Sequence, residues 1–303
     1  MQSENRPIRM GIELEQLVSE VPNNGIGDYH DGYSVEELPQ SDIREYNNGY
    51  WMAERDGSIN ASDDESGCEF VSPIFDFNDK DGRAFFHDSL QTLFSSFGNR
   101  TNRSCGTHIS ISLPVTTANQ YRRMQWYART FQQAFYAMTG STTRQSQGYA
   151  HPITEIPYCG DDALCEGDYG SEQSHSWINL TSVRKRGRRI TQGTDRVEFR
   201  VFSGTTDWTR VFAWTNLTQA FIHAVNANDV NWIMPSDRPV GQGEGNYFAT
   251  CLLDSLGFSS VADDSKFIDN DYQTVDEARK VLLDLANIYD AKAFRDGGTR
   301  RVL

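Results

Sequence analysis

The sequence predicts an α+β fold: a curved antiparallel sheet with one polar face, and helices covering its aliphatic face. Three observations predict it. Distant segments alternate apolar and ionisable residues with period two; apolar stripes at helical spacing run between them; and the C-terminal third reads as helical packing.

The first strand places Ile8, Met10, Ile12 and Leu14 on one face and Arg9, Gly11, Glu13 and Glu15 on the other. A Gly/Asn/Asp-rich stretch over 22–48 is expected to be loop with little regular structure, and residues 51–58 lead towards a strand at 68–71. Over 83–98, Phe86, Leu90, Leu93, Phe94 and Phe97 form a helical stripe that Gly98 stops. Residues 107–113 alternate again, with Ile109, Ile111 and Leu113 opposed to His108, Ser110 and Ser112.

A long helix is expected over 117–138, striped by Tyr121, Met124, Ala128, Phe131, Phe135 and Met138 and ended by Gly140. The polar stretch 141–176 holds an acidic run and gives way to Arg184-Lys185-Arg186-Gly187-Arg188-Arg189. A further strand over 196–202 opposes Glu198 and Arg200 to Val197, Phe199 and Val201. Helices follow over 208–225, 247–256 and 275–289, the last preceded by Thr274 and Glu277 at capping-box spacing. In Ser176-Trp177-Ile178-Asn179-Leu180, Trp177 and Asn179 fit a substrate contact, but a core tryptophan on a short strand fits better and is expected.

Composition narrows the function. With 303 residues, 28 Lys+Arg against 42 Asp+Glu and a formal charge of −14, the chain is unsuited to general polyanion binding, and no nucleic-acid partner is expected. Its 38% hydrophobic content is enough for a sizeable core. No apolar run approaches membrane-spanning length and no signal-peptide pattern opens the chain, so a soluble, cytoplasmic protein without a membrane partner is expected. Cys68, Cys105, Cys159, Cys165 and Cys251 are odd in number and scattered, which reads as free thiols in a reducing compartment.

The polar faces carry the chemistry. Glu13 and Glu15, His108, and Glu198 with Arg200 sit on three strands, and Glu69 adds a fourth. Carboxylates gathered on one sheet repel one another without a cation, and oxygen and imidazole donors suit Mg²⁺ or Mn²⁺. Taken singly, each motif also fits a solvated strand face. Asp56-Gly57-Ser58 fits a plain turn as well as a ligand, and the basic cluster fits a surface loop as well as a phosphate clamp.

As an ordered set, Gly11-Ile12-Glu13-Leu14-Glu15, Asp56-Gly57-Ser58, Glu69-Phe70-Val71-Ser72-Pro73, Cys105-Gly106-Thr107-His108 and Glu198-Phe199-Arg200-Val201-Phe202-Ser203-Gly204-Thr205 resemble the amidoligase family. That family belongs to the glutamine synthetase and glutamate-cysteine ligase superfamily of carboxylate-amine ligases. The resemblance, which spans about residues 9–225, implies a glutamine synthetase-like catalytic domain over 1–230; residues 231–303, which it does not cover, are expected to be a helical extension packed on it. It implies that Glu13, His108 and Glu198 hold one metal ion while Glu15 and Glu69 hold a second, with Asp56 a further ligand or substrate contact. Arg200 and Glu198 would be the catalytic pair, Arg200 facing the transferred phosphoryl group. Arg188, Arg189 and Arg196, with Ser110 and Ser112, would bind the nucleotide. The superfamily pattern H-x-H is broken here, because Ser110 stands at the second histidine.

The implied activity is ATP-dependent, Mg²⁺- or Mn²⁺-assisted amide formation through an acyl phosphate, joining a small-molecule or peptide carboxylate to an amine. Two alternatives keep the scaffold: phosphoryl transfer of guanidino-kinase type, and a non-catalytic nucleotide- or metal-binding module, which Ser110 favours.

Overall fold

The computed structural model describes residues 8–112, 118–146, 148–153, 175–180, 196–227, 230–235, 244–258 and 271–295. Among the described residues it combines an antiparallel sheet with five α-helices, and its chain divides into two compact units. The basic cluster with Arg188 and Arg189, and the cysteines Cys159 and Cys165, lie outside the described residues.

The first unit comprises Met1–Ile111 and Ser203–Val211. Its strands are β1 (Arg9–Val18), β2 (Tyr33–Ser34), β3 (Met52–Glu54), β4 (Ser66–Val71), β5 (Phe75–Asp76) and β6 (Gly106–Ser112). They run in the spatial order β2-β3-β4-β1-β6, every pair antiparallel, with β5 pairing the start of β1. Along β1 the expected alternation holds. Met10, Ile12 and Leu14 are buried and face the same side as Phe75, Phe70 and Ile109 by register. The helix α1 (Lys80–Ser95) adds Phe86, Leu90 and Leu93 to this core, with Phe86 stacked on Phe75 at 4.6 Å between centroids. Burying each such side chain is worth about 1.5–3 kcal/mol, and this one-sided core leaves the opposite sheet face free for polar groups.

α1 begins and ends three residues earlier than its stripe predicts. Gly98 takes φ +57°, and a Cβ there would fall 2.0 Å from Ser19 Oγ, so the glycine redirects the chain past β1 after the helix has closed. The 22–48 stretch is mostly irregular, as expected, and contributes only the short edge strand β2. Asn47, Asn48 and Gly49 follow with positive φ; a Cβ on Gly49 would lie 2.4 Å from Ser41 O.

The second unit comprises Ser112–Phe202 and Phe212–Leu303. It holds α2 (Ala118–Ala137), β7 (Ile178–Asn179), β8 (Arg196–Ser203), most of α3 (Trp208–Ala227), α4 (Glu244–Ser255) and α5 (Val275–Arg295). β7 pairs antiparallel with β8, and α2, α4 and α5 pack on one another. Phe135 of α2 lies among Trp177, Phe199 and Phe221, with centroids 4.8, 5.7 and 5.2 Å away. Trp177 is fully buried, the core position its sequence suggests. The capping box also forms: Glu277 N donates to Thr274 Oγ1 (3.2 Å) and Thr274 N to Glu277 Oε2 (2.8 Å). Among the described residues no helix is long and apolar enough to cross a membrane, and Cys68, Cys105 and Cys251 are buried free thiols.

Candidate active site

Antiparallel register assembles the site of the first unit. Residues directly opposite one another on neighbouring strands share a face. Glu13 pairs with Val71 of β4 on one side and His108 of β6 on the other. Two residues on, Glu15 pairs with Glu69, and Glu69 pairs in turn with Glu54 of β3. Three carboxylates therefore stand side by side on consecutive strands, and the Glu13–His108 pair lies one level away on the same face.

His108 is 2% exposed, with Nδ1 3.1 Å from Glu13 Oε2 and Nε2 3.5 Å from Glu15 Oε1. It bridges the two glutamates of the first strand. Glu15 also accepts a hydrogen bond from the Gly106 backbone N–H. Donor atoms of Glu13, Glu69 and His108 lie within 4.8 Å of one another, and so do those of Glu15, Asp56 and Glu69. Glu69 thus belongs to both triads. Asp56 meets the second triad while its Oδ1 accepts from Ser58 N at 2.6 Å, so the D-G-S turn and the donor position coexist.

The electrostatics follow from this crowding. Burial, then the charges of Glu13, Glu15, Asp56 and Glu54, push the Glu69 carboxyl up to about 10. Burial likewise raises Glu54, opposed by the backbone N–H that His30 donates to it and by the nearby imidazole. Such a row favours a proton or a cation between its oxygens. Its hard oxygen donors and single imidazole fit Mg²⁺ or Mn²⁺.

Ser110 follows His108 on the same face, opposite Gly11, and its buried hydroxyl meets no hydrogen-bond partner. Ser112 ends β6 and is half-buried.

The second unit holds the other candidates. Glu198 is 5% exposed; its Oε1 accepts from Arg200 Nη1 at 2.6 Å and its Oε2 from Asn179 Nδ2 at 2.9 Å. Arg200 Nε also donates to Tyr149 O at 3.2 Å. Arg144, 3% exposed, anchors the backbone of this strand, donating to Arg200 O (2.7 Å) and Val201 O (3.2 Å). Arg196 shares the face of Glu198 and Arg200 and is exposed.

Sequence reasoning had not placed Glu54 or Asn179 among the site residues. Glu54 sits on a strand of three residues, too short for a period to register; its only signal is the nearby D-G-S block. Asn179 is marked only by its register opposite Glu198.

The family described as "Putative amidoligase enzyme" matches residues 6–222. No curated protein matches. A similar solved structure is the crystal structure of the complex between Prokaryotic Ubiquitin-like Protein Pup and its ligase PafA, with 11% identity and a TM-score of 0.37, covering 96% of this chain. The present chain spans 65% of that chain's length.

Proposed function

Because the chain belongs to the amidoligase family, we propose that it is an ATP-dependent carboxylate-amine ligase whose catalytic part is residues 1–230. The observation that carries the reading is the pair of donor triads sharing Glu69, in which strand register sets Glu13, Glu15, Glu69 and His108 on one face and the D-G-S turn brings Asp56 to them. Glu13 and His108 are assigned to one divalent ion and Glu15 and Asp56 to another, with Glu69 shared between them; Glu198 is carried as a metal ligand on the family resemblance alone. Bound Mg²⁺ or Mn²⁺ would offset the charge of the nucleotide phosphates.

The reaction runs in two balanced steps on a glutamine synthetase-like scaffold. A substrate carboxylate oxygen attacks the γ-phosphorus of ATP, forming an acyl phosphate as ADP leaves. A neutral amine nitrogen then attacks the acyl carbon; phosphate departs and the nitrogen loses a proton, leaving the amide. Arg200 presents a planar guanidinium to the transferred phosphoryl group, where charge develops. Glu198, held between Arg200 and Asn179, keeps that guanidinium in one orientation. Arg144 clamps the backbone beneath it. Arg188, Arg189 and Arg196 are assigned to the triphosphate, with Ser110 and Ser112 as lesser contacts.

The test is incubation with ATP, Mg²⁺ and a pool of amino acids, peptides and amines, followed by mass spectrometry. The expected result is ADP, phosphate and a new amide in equal amounts, abolished by Glu13→Gln. ADP with a stable phosphorylated acceptor and no free phosphate would point instead to phosphotransfer of guanidino-kinase type. Ser110, standing where the superfamily has histidine, favours the second reading, a binding module; nucleotide and metal binding without any turnover would establish it.

A further inference from the structure

A second feature of the first unit lies at the β2 edge of the sheet that carries the acidic row. The register continues outward from Glu13 through Val71 to Met52 and then Ser34, so His108, Glu13, Val71, Met52 and Ser34 form one transverse line across five strands. At the outer end of that line opens a cavity of about 460 Å³, walled by Met52, Ser34 and the loop residues around them. Strands are spaced about 4.8 Å apart, so the Met52 side of the cavity lies about 10 Å from Glu13.

The lining is polar and uncharged. Asn24, Asn47 and Asn48 supply three amides, Tyr33 and Tyr50 two phenols, and Ser34 a hydroxyl. None of the lining residues carries a charge at neutral pH. A free amino acid brings an ammonium and a carboxylate, and desolvating both without a counter-charge is costly. Peptide units present a neutral donor and acceptor together, which side-chain amides match and tyrosine rings cover at low entropic cost.

The wall is fixed before any ligand arrives. Asn47 and Asn48 both take φ +51°, and Asn48 O accepts from Gln40 Nε2 (2.9 Å) and Arg44 Nη1 (2.7 Å). Asn47 Nδ2 is buried and meets no acceptor, so its amide is held by packing rather than by solvent. Asn24 Nδ2 donates to Ser34 O at 2.9 Å, so a side-chain amide already occupies that carbonyl and strand addition along β2 is not the mode of binding.

We infer that this cavity binds the uncharged backbone of a peptide, so that one of the two ligase substrates presents its reacting carboxylate or amine from a peptide rather than as a free amino acid. The inference rests on the ligase reading for its consequence, but the binding itself can be measured without turnover.

The experiment is equilibrium dialysis of the full chain against a pool of N-acetylated, C-amidated tetrapeptides, each holding one Glu or one Lys, with free Glu and Lys as the comparison. Retained species are identified by mass spectrometry. Wild type and Glu13→Gln should both retain peptides and exclude the free amino acids. Ser34→Trp, which fills the cavity, and Asn48→Asp, which charges it without changing its shape, should each lower retention about tenfold, the size of one lost hydrogen bond. If Ser34→Trp fails to fold, Asn48→Asp decides. Retention unchanged in Asn48→Asp, or free amino acids held in preference to peptides, overturns the inference. Peptide retention without any ATP-dependent amide would sink the ligase reading and leave the peptide site standing; amide formed from free amino acids without peptide retention would do the reverse.

Discussion

Replacing Glu69 with glutamine should make the metal-free protein less sensitive to alkaline pH. The Glu69 carboxyl titrates near 4.5 when unfolded and is pushed up to about 10 when folded, by burial first and then by Glu13, Glu15, Asp56 and Glu54. Between those values the native state holds a proton that the unfolded state has released. Stability therefore falls as pH rises, by about 1.4 kcal/mol per pH unit. From pH 5 to pH 8 this amounts to about 4 kcal/mol, a large share of a typical stability of about 5–15 kcal/mol. Glutamine does not titrate, so Glu69→Gln escapes the loss. The assay is urea unfolding in EDTA at pH 5, 6.5 and 8, repeated with excess Mn²⁺. The wild-type midpoint should drop with pH in EDTA and recover when the cation supplies the missing counter-charge; the variant should show a flatter profile and little response to Mn²⁺. Parallel pH profiles for the two proteins would refute the claim that this carboxyl is crowded and cation-dependent.

Three further outcomes are expected. Arg200→Lys keeps the charge but loses the fork that spans Glu198 and Tyr149 O, and should lower kcat about 10²-fold to 10³-fold with a smaller change in KM, read from ATP-dependent ADP release. Asn179→Ala releases one oxygen of Glu198 and should raise the divalent concentration for half-maximal activity about 10-fold to 100-fold, measured by Mn²⁺ titration. Thr274→Ala removes the cap of α5 and should cost about 1 kcal/mol in thermal unfolding while leaving Mn²⁺ binding unchanged.

Much of this arrangement was legible in the sequence because period-two alternation is a local signal. Glu13, Glu15, His108, Glu198 and Arg200 each lie on a strand long enough to declare its faces. What alternation does not carry is register, which depends on partners far away in the chain. Glu54 is part of the acidic row only because β3 pairs with β4 at Glu69, and no pattern within Met52-Ala53-Glu54 announces it. Asn179 sits on a strand of two residues and is placed by its pairing with Glu198. The cavity beside β2 is built from loop residues, whose side chains follow no period at all. Helix ends were less exact than helix stripes: in α1 the last aromatic, Phe97, packs on Phe70 from beyond the helix, so its spacing mimicked a further turn.

Register also explains why small residues punctuate the motifs. On the polar face, β1 presents Gly11 and Glu13, and β6 answers with Ser110 and His108. Each level has its own balance of size. At the start of β6 the Gly106 backbone N–H donates to the Glu15 carboxylate; opposite Glu13 stands the imidazole, which spans to both glutamates. At the third level both partners are small, and a Cβ on Gly11 would approach nothing closer than Ser72 Oγ at 3.9 Å. The serine at the superfamily's second histidine position therefore stands beside the Glu13–His108 pair with its buried hydroxyl unsatisfied. A one-residue slip of β6 would exchange this whole polar set for Thr107, Ile109 and Ile111. The buried aliphatic core on the reverse face forbids that slip, so the packing that stabilises the sheet is also what holds the donor atoms within reach of one another.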